Sequence, residues 1–222
     1  MTFRALLLTP IAVFFTLALV LESGPTLKGQ ESPRGKAALM NPEDAKEQAP
    51  ATFKAQFDTT KGSFVVEVHR DWAPFGADRF YNLVKRAYYD ENRFYYVNDR
   101  VALFGINGEP AIAKAWYYAK IPNDKTRVQS NTKGRVAMSQ GNGRAIQTMI
   151  HMDDNVSMDP DHTPFGAVVA GLNVVERLYK GYGEMYPTGK APTMSQLLEG
   201  GNALLAKQFP MMDYIKTAKI VP

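Results

Sequence analysis

Two short alternating runs joined by a turn restrict what this chain can fold into more than any other feature. In "TFKAQFD", Phe53, Ala55 and Phe57 fall on one side of an extended backbone. In "SFVVEVH", Phe64, Val66 and Val68 do the same against Val65, Glu67 and His69. A period of two is the pattern of a strand with one face buried. The intervening "TTKG" is turn chemistry, so the pair reads as a hairpin whose apolar face needs a partner.

The period then changes. In "DWAPFGADRFYNLVKRAYY", Phe80, Leu83, Val84 and Ala87 recur at i, i+3, i+4 and i+7, which predicts a helix from about Pro74 to Tyr88. Pro74 suits its first turn. Short strands are predicted near Arg93 to Val97, Val101 to Phe104, Gly134 to Ser139, Gln147 to Met152 and Phe165 to Val169. "LNVVERLYKGYG" predicts a second short helix stopped at Gly181, and "MDYIKTAKI" a closing strand. Many short strands with two separated helices point to a mainly β fold, a closed or nearly closed antiparallel barrel. Closure would hide the strand edges that a chain exported unfolded otherwise presents to its neighbours.

With 222 residues, 45% of them hydrophobic, there is room for one well-cored domain and a tail. The formal charge of +4 comes without a Lys/Arg run, so no nucleic-acid partner is expected. The absence of cysteine excludes disulfides, thiol nucleophiles and Cys-ligated zinc. At the N-terminus Arg4 precedes the apolar run Ala5 to Leu21, the pattern of a secretion signal. The run is also close to the roughly 20 residues that span a bilayer. The following "ESGPTLKGQ" lacks a clean A-x-A site, so a cleaved signal over 1–21 and a retained anchor through residues 5–21 both stay open. Either way the expectation is an exported protein, periplasmic or secreted. Glu22 to Pro50, rich in Pro, Gly, Lys and Glu, reads as a flexible tether, with the folded domain spanning Ala51 to Pro222.

Familiar reaction chemistry is scarce. His69 ends a strand and reads as a surface residue. His151 and His162 flank "MDDNVSMDPD", where Asp153, Asn155, Ser157, Asp159 and Asp161 alternate like the start of a calcium loop. The pattern fails at its sixth position, Met158, where Gly is required, and at its twelfth, Pro164, where Glu is required. A polar turn between strands is expected there, with no metal and no cofactor. "GNGRAIQ" lacks the Gly-Lys-Ser/Thr ending of a phosphate loop, and there is neither a G-x-S-x-G elbow nor a metalloprotease helix.

Taken together, several stretches resemble the cyclophilin family of peptidyl-prolyl isomerases. "FDTTKGSFVVEVHRDWAPFGADRFYNLV" resembles the family's opening hairpin and first helix. "GRVAMSQGNGRAIQTMIHM" resembles its strand, loop and strand, and "DHTPFGAVVAGLNVVERL" its "H-x-x-F-G-x-V-x-x-G-x-x-V-V" segment. "RFYYVNDRVALFGING" falls where the family has "F-H-R-V-I-x-x-F-M-x-Q-G-G". The likeness is close from Ala51 to Ala170 and reaches Pro222 through a longer final connection. It implies a closed eight-stranded antiparallel barrel capped by two helices, in a divergent, bacterial-like exported member. It also implies the activity: rotation about Xaa-Pro bonds with no cofactor, by a monomer acting on proline-containing segments of unfolded or exported proteins.

Residue by residue, the resemblance puts Tyr96 where the family's catalytic arginine stands. A phenol offers one hydrogen bond, with no charge and no guanidinium fork. The following segment is one residue short. The pocket phenylalanine falls on Arg100 or Val101, the methionine on Val101 or Ala102, and the glutamine on Leu103 or Phe104. Gln147 matches a family glutamine, Met149 replaces a pocket phenylalanine, and His162 matches the pocket histidine. Gln140 lies in the loop that meets the substrate backbone in relatives. Ser157 falls where some members carry a tryptophan. Arg100 is a second candidate for the missing guanidinium. The expectation is an isomerase of impaired turnover, with a peptide-binding or chaperone-like module on the same fold as the alternative. Tyr182 to Met212 has no role assigned by the resemblance.

Overall fold

The hairpin is the seed of the structure. β1 (Thr52–Thr59) and β2 (Gly62–His69) pair antiparallel in unbroken register from Thr52↔His69 to Thr59↔Gly62. Gly62 has φ +123, a conformation open to glycine but strained for side chains, and the Thr59 hydroxyl closes the turn onto its carbonyl at 2.7 Å. Phe57 and Phe64 stack across the pair, ring centres 5.0 Å apart. α2 (Pro74–Lys85) lays Phe80 against Phe57 and Phe165, at 5.8 and 4.8 Å between centroids. The two periodicities therefore meet in one aromatic core.

The structure is a computed structural model that describes Met1 and residues 35–140 and 144–222. After α2 the chain forms β3 (Tyr96–Val97), β4 (Val101–Phe104), α3 (Pro110–Tyr118), β5 (Arg135–Ser139), β6 (Thr148–His151), β7 (His162–Ala170), α4 (Leu172–Glu176), α5 (Gly201–Gln208) and β8 (Ile215–Val221). The eight strands make one sheet in the order β3-β4-β6-β5-β7-β2-β1-β8, with every pairing antiparallel.

The expected closed barrel is corrected to a curled sheet. β3 and β8 are its two ends, and no ladder joins them. The gap is stitched by the chain entering each strand. Glu91 N donates to Ile215 O at 2.8 Å, Ile215 N to Asn92 O at 2.9 Å and Phe94 N to Asp213 O at 3.0 Å. Those bonds explain why the strand expected from Arg93 is confined to Tyr96–Val97: residues 91–94 are committed to the far end of the sheet.

Two helices are shorter than their patterns. α2 stops at Lys85 because Ala87 takes φ 56, which swings Tyr88 and Tyr89 into the core. α4 stops at Glu176, five residues before Gly181, where tight bonds from Arg177 and Leu178 to Val174 and Val175 end it. α3 has no counterpart in the sequence expectations. It buries Ile112, Ala113 and Trp116, and the Trp116 indole donates to Leu39 O at 2.6 Å.

That last contact corrects the tether over 35–50. Here α1 (Lys36–Leu39) and a 3₁₀ turn, Pro42–Asp44, lie on the helical side of the core. Leu39 and Ala49 are buried, and the Arg86 guanidinium donates to Ala38 O and Asp44 O. The described residues from 35 onward belong to one compact unit. Residues 22–34 and the apolar run 5–21 lie outside the described residues. Among the described residues, no helix is long and apolar enough to cross a membrane.

One buried ion pair holds the groove side of the fold. The side chains of Arg144 and Asp124 are 0% and 1% exposed and bonded to each other. Asp124 also accepts from Phe75 N and Gly76 N, both at 2.9 Å, and so caps the start of α2 from a distance. Asp124→Asn leaves the Arg144 charge buried without a counter-ion. It is expected to lower unfolding stability by about 3–5 kcal/mol, measured by urea denaturation at neutral pH.

Candidate functional site

β-strand pairing lines residues up across the sheet, and one such row defines the candidate groove. Tyr96 of β3 pairs with Leu103 of β4, Leu103 with Met149 of β6, and Met149 with Ala137 of β5. Residues directly opposite share a face. Their neighbours Val97, Ala102, Ile150 and Val136 point the other way, into the core. On the groove side, Leu103, Ser139, Gln147, Thr148, Met149 and His162 enclose a cavity of about 50 Å³. The structure thus brings Leu103, Gln147, Met149 and His162 together, with Tyr96 next in the row.

The alternation also places the missing residue in the β3–β4 segment. Leu103 faces the groove, so it stands where the family's glutamine is expected, and Val101 lies two residues before it on the same face. Phe104 is removed from the site: it is fully buried in the core against Phe57, Tyr89 and Phe94. Val101 is buried opposite His151, outside the cavity lining. Arg100 takes the pocket phenylalanine's place but sits exposed in the β3–β4 turn. Its carbonyl accepts from Met152 N at 2.8 Å, and its charge bears on His151 rather than on the cavity.

Gln140 is partly buried. Its Nε2 donates to Asp124 O at 3.1 Å and to the Thr163 hydroxyl, so the ion pair and the groove wall are one assembly. The stretch 141–143 beyond it lies outside the described residues. Ser157 is exposed on the 3₁₀ turn Val156–Met158. The acidic run around it is built into the turn. Asp159 accepts from Ser130 Oγ at 2.8 Å and Asn131 N at 2.7 Å, and Asp154 from Lys133 N at 2.9 Å. Among the described residues, no cluster of three or more His, Asp or Glu is placed to hold a metal. His69 stacks on Trp72 at 4.2 Å, away from the groove.

Some of the buried polar atoms without a hydrogen-bond partner lie along the groove wall. Among the described residues they include Ser139 Oγ, Gln140 Oε1, His162 Nδ1 and His151 Nε2. Unpaired buried polar atoms are rare, and a run of them along a groove suits a bound backbone. Ser139 and Ala137 escaped the sequence reading because they are small, and His151, placed in the strand Gln147 to Met152, was weighed only as a metal ligand flanking the acidic turn. Only the register across β5, β6 and β7 brings them to the wall.

Electrostatically the wall is neutral. Burial, with His162 alongside, pushes the His151 imidazole down to about 4, and burial likewise lowers His162. At the rim, burial and the nearby Glu184 carboxylate raise the Tyr96 phenol, whose oxygen accepts from Asn98 Nδ2 at 3.3 Å. Tyr96 is therefore neutral, with a carboxylate beside it.

A curled antiparallel sheet with a small apolar pocket and unpaired polar groups beside it belongs to the class of β proteins with an outer-face peptide groove. The family model for cyclophilin type peptidyl-prolyl cis-trans isomerases matches residues 54–196, and the chain belongs to that family of enzymes. It is 30% identical over 129 residues to a peptidyl-prolyl cis-trans isomerase-like protein of Rhizopus delemar, covering 54% of this chain and 76% of the relative. An isomerase of Dictyostelium discoideum is 28% identical over 125 residues, covering 54% of this chain and 80% of the relative. A crystal structure of a Cryptosporidium parvum cyclophilin-type isomerase superposes with a TM-score of 0.56 at 14% identity, covering 77% of this chain and 98% of that one. The same enzyme has been crystallised in the presence of the dipeptide Ala-Pro, with a TM-score of 0.55 at 14% identity, covering 76% of this chain and 99% of that one.

The neutral histidines give the site a pH signature. Below pH 6.5 the unfolded chain takes up a proton that folded His151 refuses until about pH 4. Stability is therefore untouched above pH 6.5 and falls as pH drops through that window, by about 3 kcal/mol at its end. Urea unfolding at pH 7 and pH 4.5 measures the loss. His151→Gln keeps an acceptor for Asn155 and should remove most of it, with His162 supplying the remainder.

Proposed function

We propose that this chain rotates Xaa-Pro bonds in extended segments laid along the Tyr96–Leu103–Met149–Ala137 row, and does so slowly. The observation that carries this reading is the apolar cavity between Leu103, Met149 and His162 with unpaired Ser139 Oγ, Gln140 Oε1 and His162 Nδ1 around it. The cavity is of a size for a proline ring rather than a large side chain. The polar atoms would hold the flanking backbone. Cis–trans rotation is slow because twisting the bond breaks amide resonance, at a barrier of ~20 kcal/mol. A site lowers it by burying the ring and donating hydrogen bonds that strengthen as the amide twists.

The slow turnover follows from Tyr96. An arginine in its place would offer a charged, forked donor, whereas this phenol is neutral and lies beside the Glu184 carboxylate. Leu103, in the place of the orienting amide, donates nothing. Loss of one such donor lowers rates by roughly 10²–10³. The clients are proline-containing segments of exported or unfolded proteins, a reading supported by Arg4 and the apolar run 5–21.

Exchange NMR on an Ala-Ala-Pro-Ala peptide tests this with the full chain. Wild type is expected to speed exchange above the uncatalysed rate, and Met149→Glu, which puts a charge in the pocket, to abolish the effect. Tyr96→Arg in a Glu184→Gln background, where the new guanidinium is not captured, is expected to raise kcat/KM by at least about tenfold. Binding without any acceleration by wild type would overturn the enzymatic reading. Wild-type turnover equal to that of arginine-bearing relatives would overturn the role given to Tyr96.

A further inference from the structure

The row that defines the groove does not end at β3. Val97 makes an antiparallel bridge to Gly183, so the residue opposite Tyr96 is Glu184. The long connection after α4 thus meets the sheet's β3 edge through one bridged residue and sets a carboxylate at the end of the groove face. The loop carrying it is braced. Ala191 N donates to Glu184 O and Lys190 N to Tyr182 O, both at 2.9 Å, and Gly189 N to Met185 O at 3.1 Å. Tyr182 packs edge-on against Tyr179 and Phe209, at 5.1 and 5.3 Å.

The charges around Glu184 leave it available. Lys180, four residues before it, is paired with Asp99 at 2.8 Å, and Lys190, six residues after it, is exposed and forms no ion pair with Glu184. Arg100 lies at the β3–β4 turn, on the side of His151. Glu184 itself is exposed, in no ion pair among the described residues, and close enough to Tyr96 for its charge to raise the phenol. Asp161 beside His162 and Asp159 beside His151 are also acids, and Arg100 is the cation on the His151 side. Where the family resemblance calls for a positive charge, this groove presents a negative one.

We propose that Glu184 makes the groove select Xaa-Pro segments that carry a lysine or arginine close to the proline. The selection rests on the groove assigned above as the substrate site. From Met149 to Glu184 the row takes three inter-strand steps of about 4.8 Å, roughly 14 Å in all. An extended peptide covers that in about four residues at about 3.3 Å each. A cation within this distance of the buried proline reaches the carboxylate, and an acid there is repelled. The pairing is solvent-exposed, so its strength is that of a surface ion pair and it is screened by salt.

The test measures binding and exchange separately on the full chain. Peptides with an Ala-Ala-Pro-Ala core and a Lys, Gln or Glu placed on either side are titrated by NMR. Wild type should bind the best Lys peptide on the order of threefold more tightly than its Gln counterpart and the Glu peptide more weakly still. High salt and Glu184→Gln should each remove the difference, and Glu184→Lys should reverse it, with thermal midpoints confirming that the variants fold. Equal binding of all three peptides by wild type, or a preference that survives Glu184→Gln, overturns the proposal. A charge preference without catalysed exchange supports this proposal while overturning the isomerase reading. Catalysed exchange without a charge preference does the reverse.

Discussion

Asp124 and Arg144 are withdrawn from water together, and what each one bonds to ties the groove to the core. The carboxylate takes the Phe75 and Gly76 amides at the start of α2, while the guanidinium donates through Nε to Pro122 O at 2.7 Å. A buried charge is tolerable only when it is paired and its remaining hydrogen-bonding groups are met. Those conditions fix three pieces of chain at once: the first turn of α2, the loop through 122–124 and the approach to β6. Gln140, bonded to the Asp124 carbonyl, adds the end of β5. Both ends of the stretch 141–143 are thereby attached to one anchor. The groove wall is positioned through the cap at the start of α2, not by its own contacts alone.

The chemistry on that wall differs from what the family resemblance implies. The resemblance implies a charged donor at Tyr96, an amide at Leu103 and an aromatic at Met149, while burial keeps His151 and His162 neutral. The changes at Tyr96 and Leu103 lower the wall's positive potential or its donor capacity, whereas Met149 keeps the pocket apolar. The apolar cavity and the unpaired acceptors survive. Binding of an extended chain needs mainly those two features, whereas acceleration needs a donor whose interaction grows in the twisted state. On the reading proposed above, the groove is better equipped to bind an extended chain than to stabilise the twisted amide, and Glu184 acts on the peptide's flanks rather than on the rotating bond.

How much of this could be read in advance depends on whether the deciding contacts are local. The hairpin and α2 were legible because Phe53, Phe57, Phe64 and Phe80 keep a strict period, and the core follows the period. β3 was overdrawn because its start is set by a distant partner, Asp213 bonding Phe94, and α4 because tight local bonds at Arg177 and Leu178 end it before Gly181. Residues 35–50 look polar and loop-like, yet Leu39 is captured by Trp116 of α3, itself unexpected. In the site, Leu103 and Phe104 were equivalent candidates on sequence alone, since a one-residue slip exchanges the two faces of a strand. The register with Met149 settles the choice, sending Leu103 to the groove and Phe104 to the core. Ser139 and Ala137 carry no sequence signal, because their role comes only from standing opposite His162 and Met149.

The connection from α4 to β8 links the sheet's incomplete closure to the groove's charge. Its far end supplies Asp213, whose carbonyl takes Phe94 N and whose carboxylate takes the Thr60 hydroxyl at 2.6 Å and Tyr179 N at 2.7 Å. Its middle supplies Asn202, bonded through Nδ2 to Glu91 O at 2.9 Å and through its backbone N to Gly108 O at 2.8 Å. Its near end supplies Gly183 to Val97. A sheet whose end strands paired directly would leave β3 no free edge for Gly183. Because β3 and β8 do not pair, the connection can both stitch the gap and lie beside β3, and in doing so it brings Glu184 opposite Tyr96. The open edge and the altered rim thus have one structural origin.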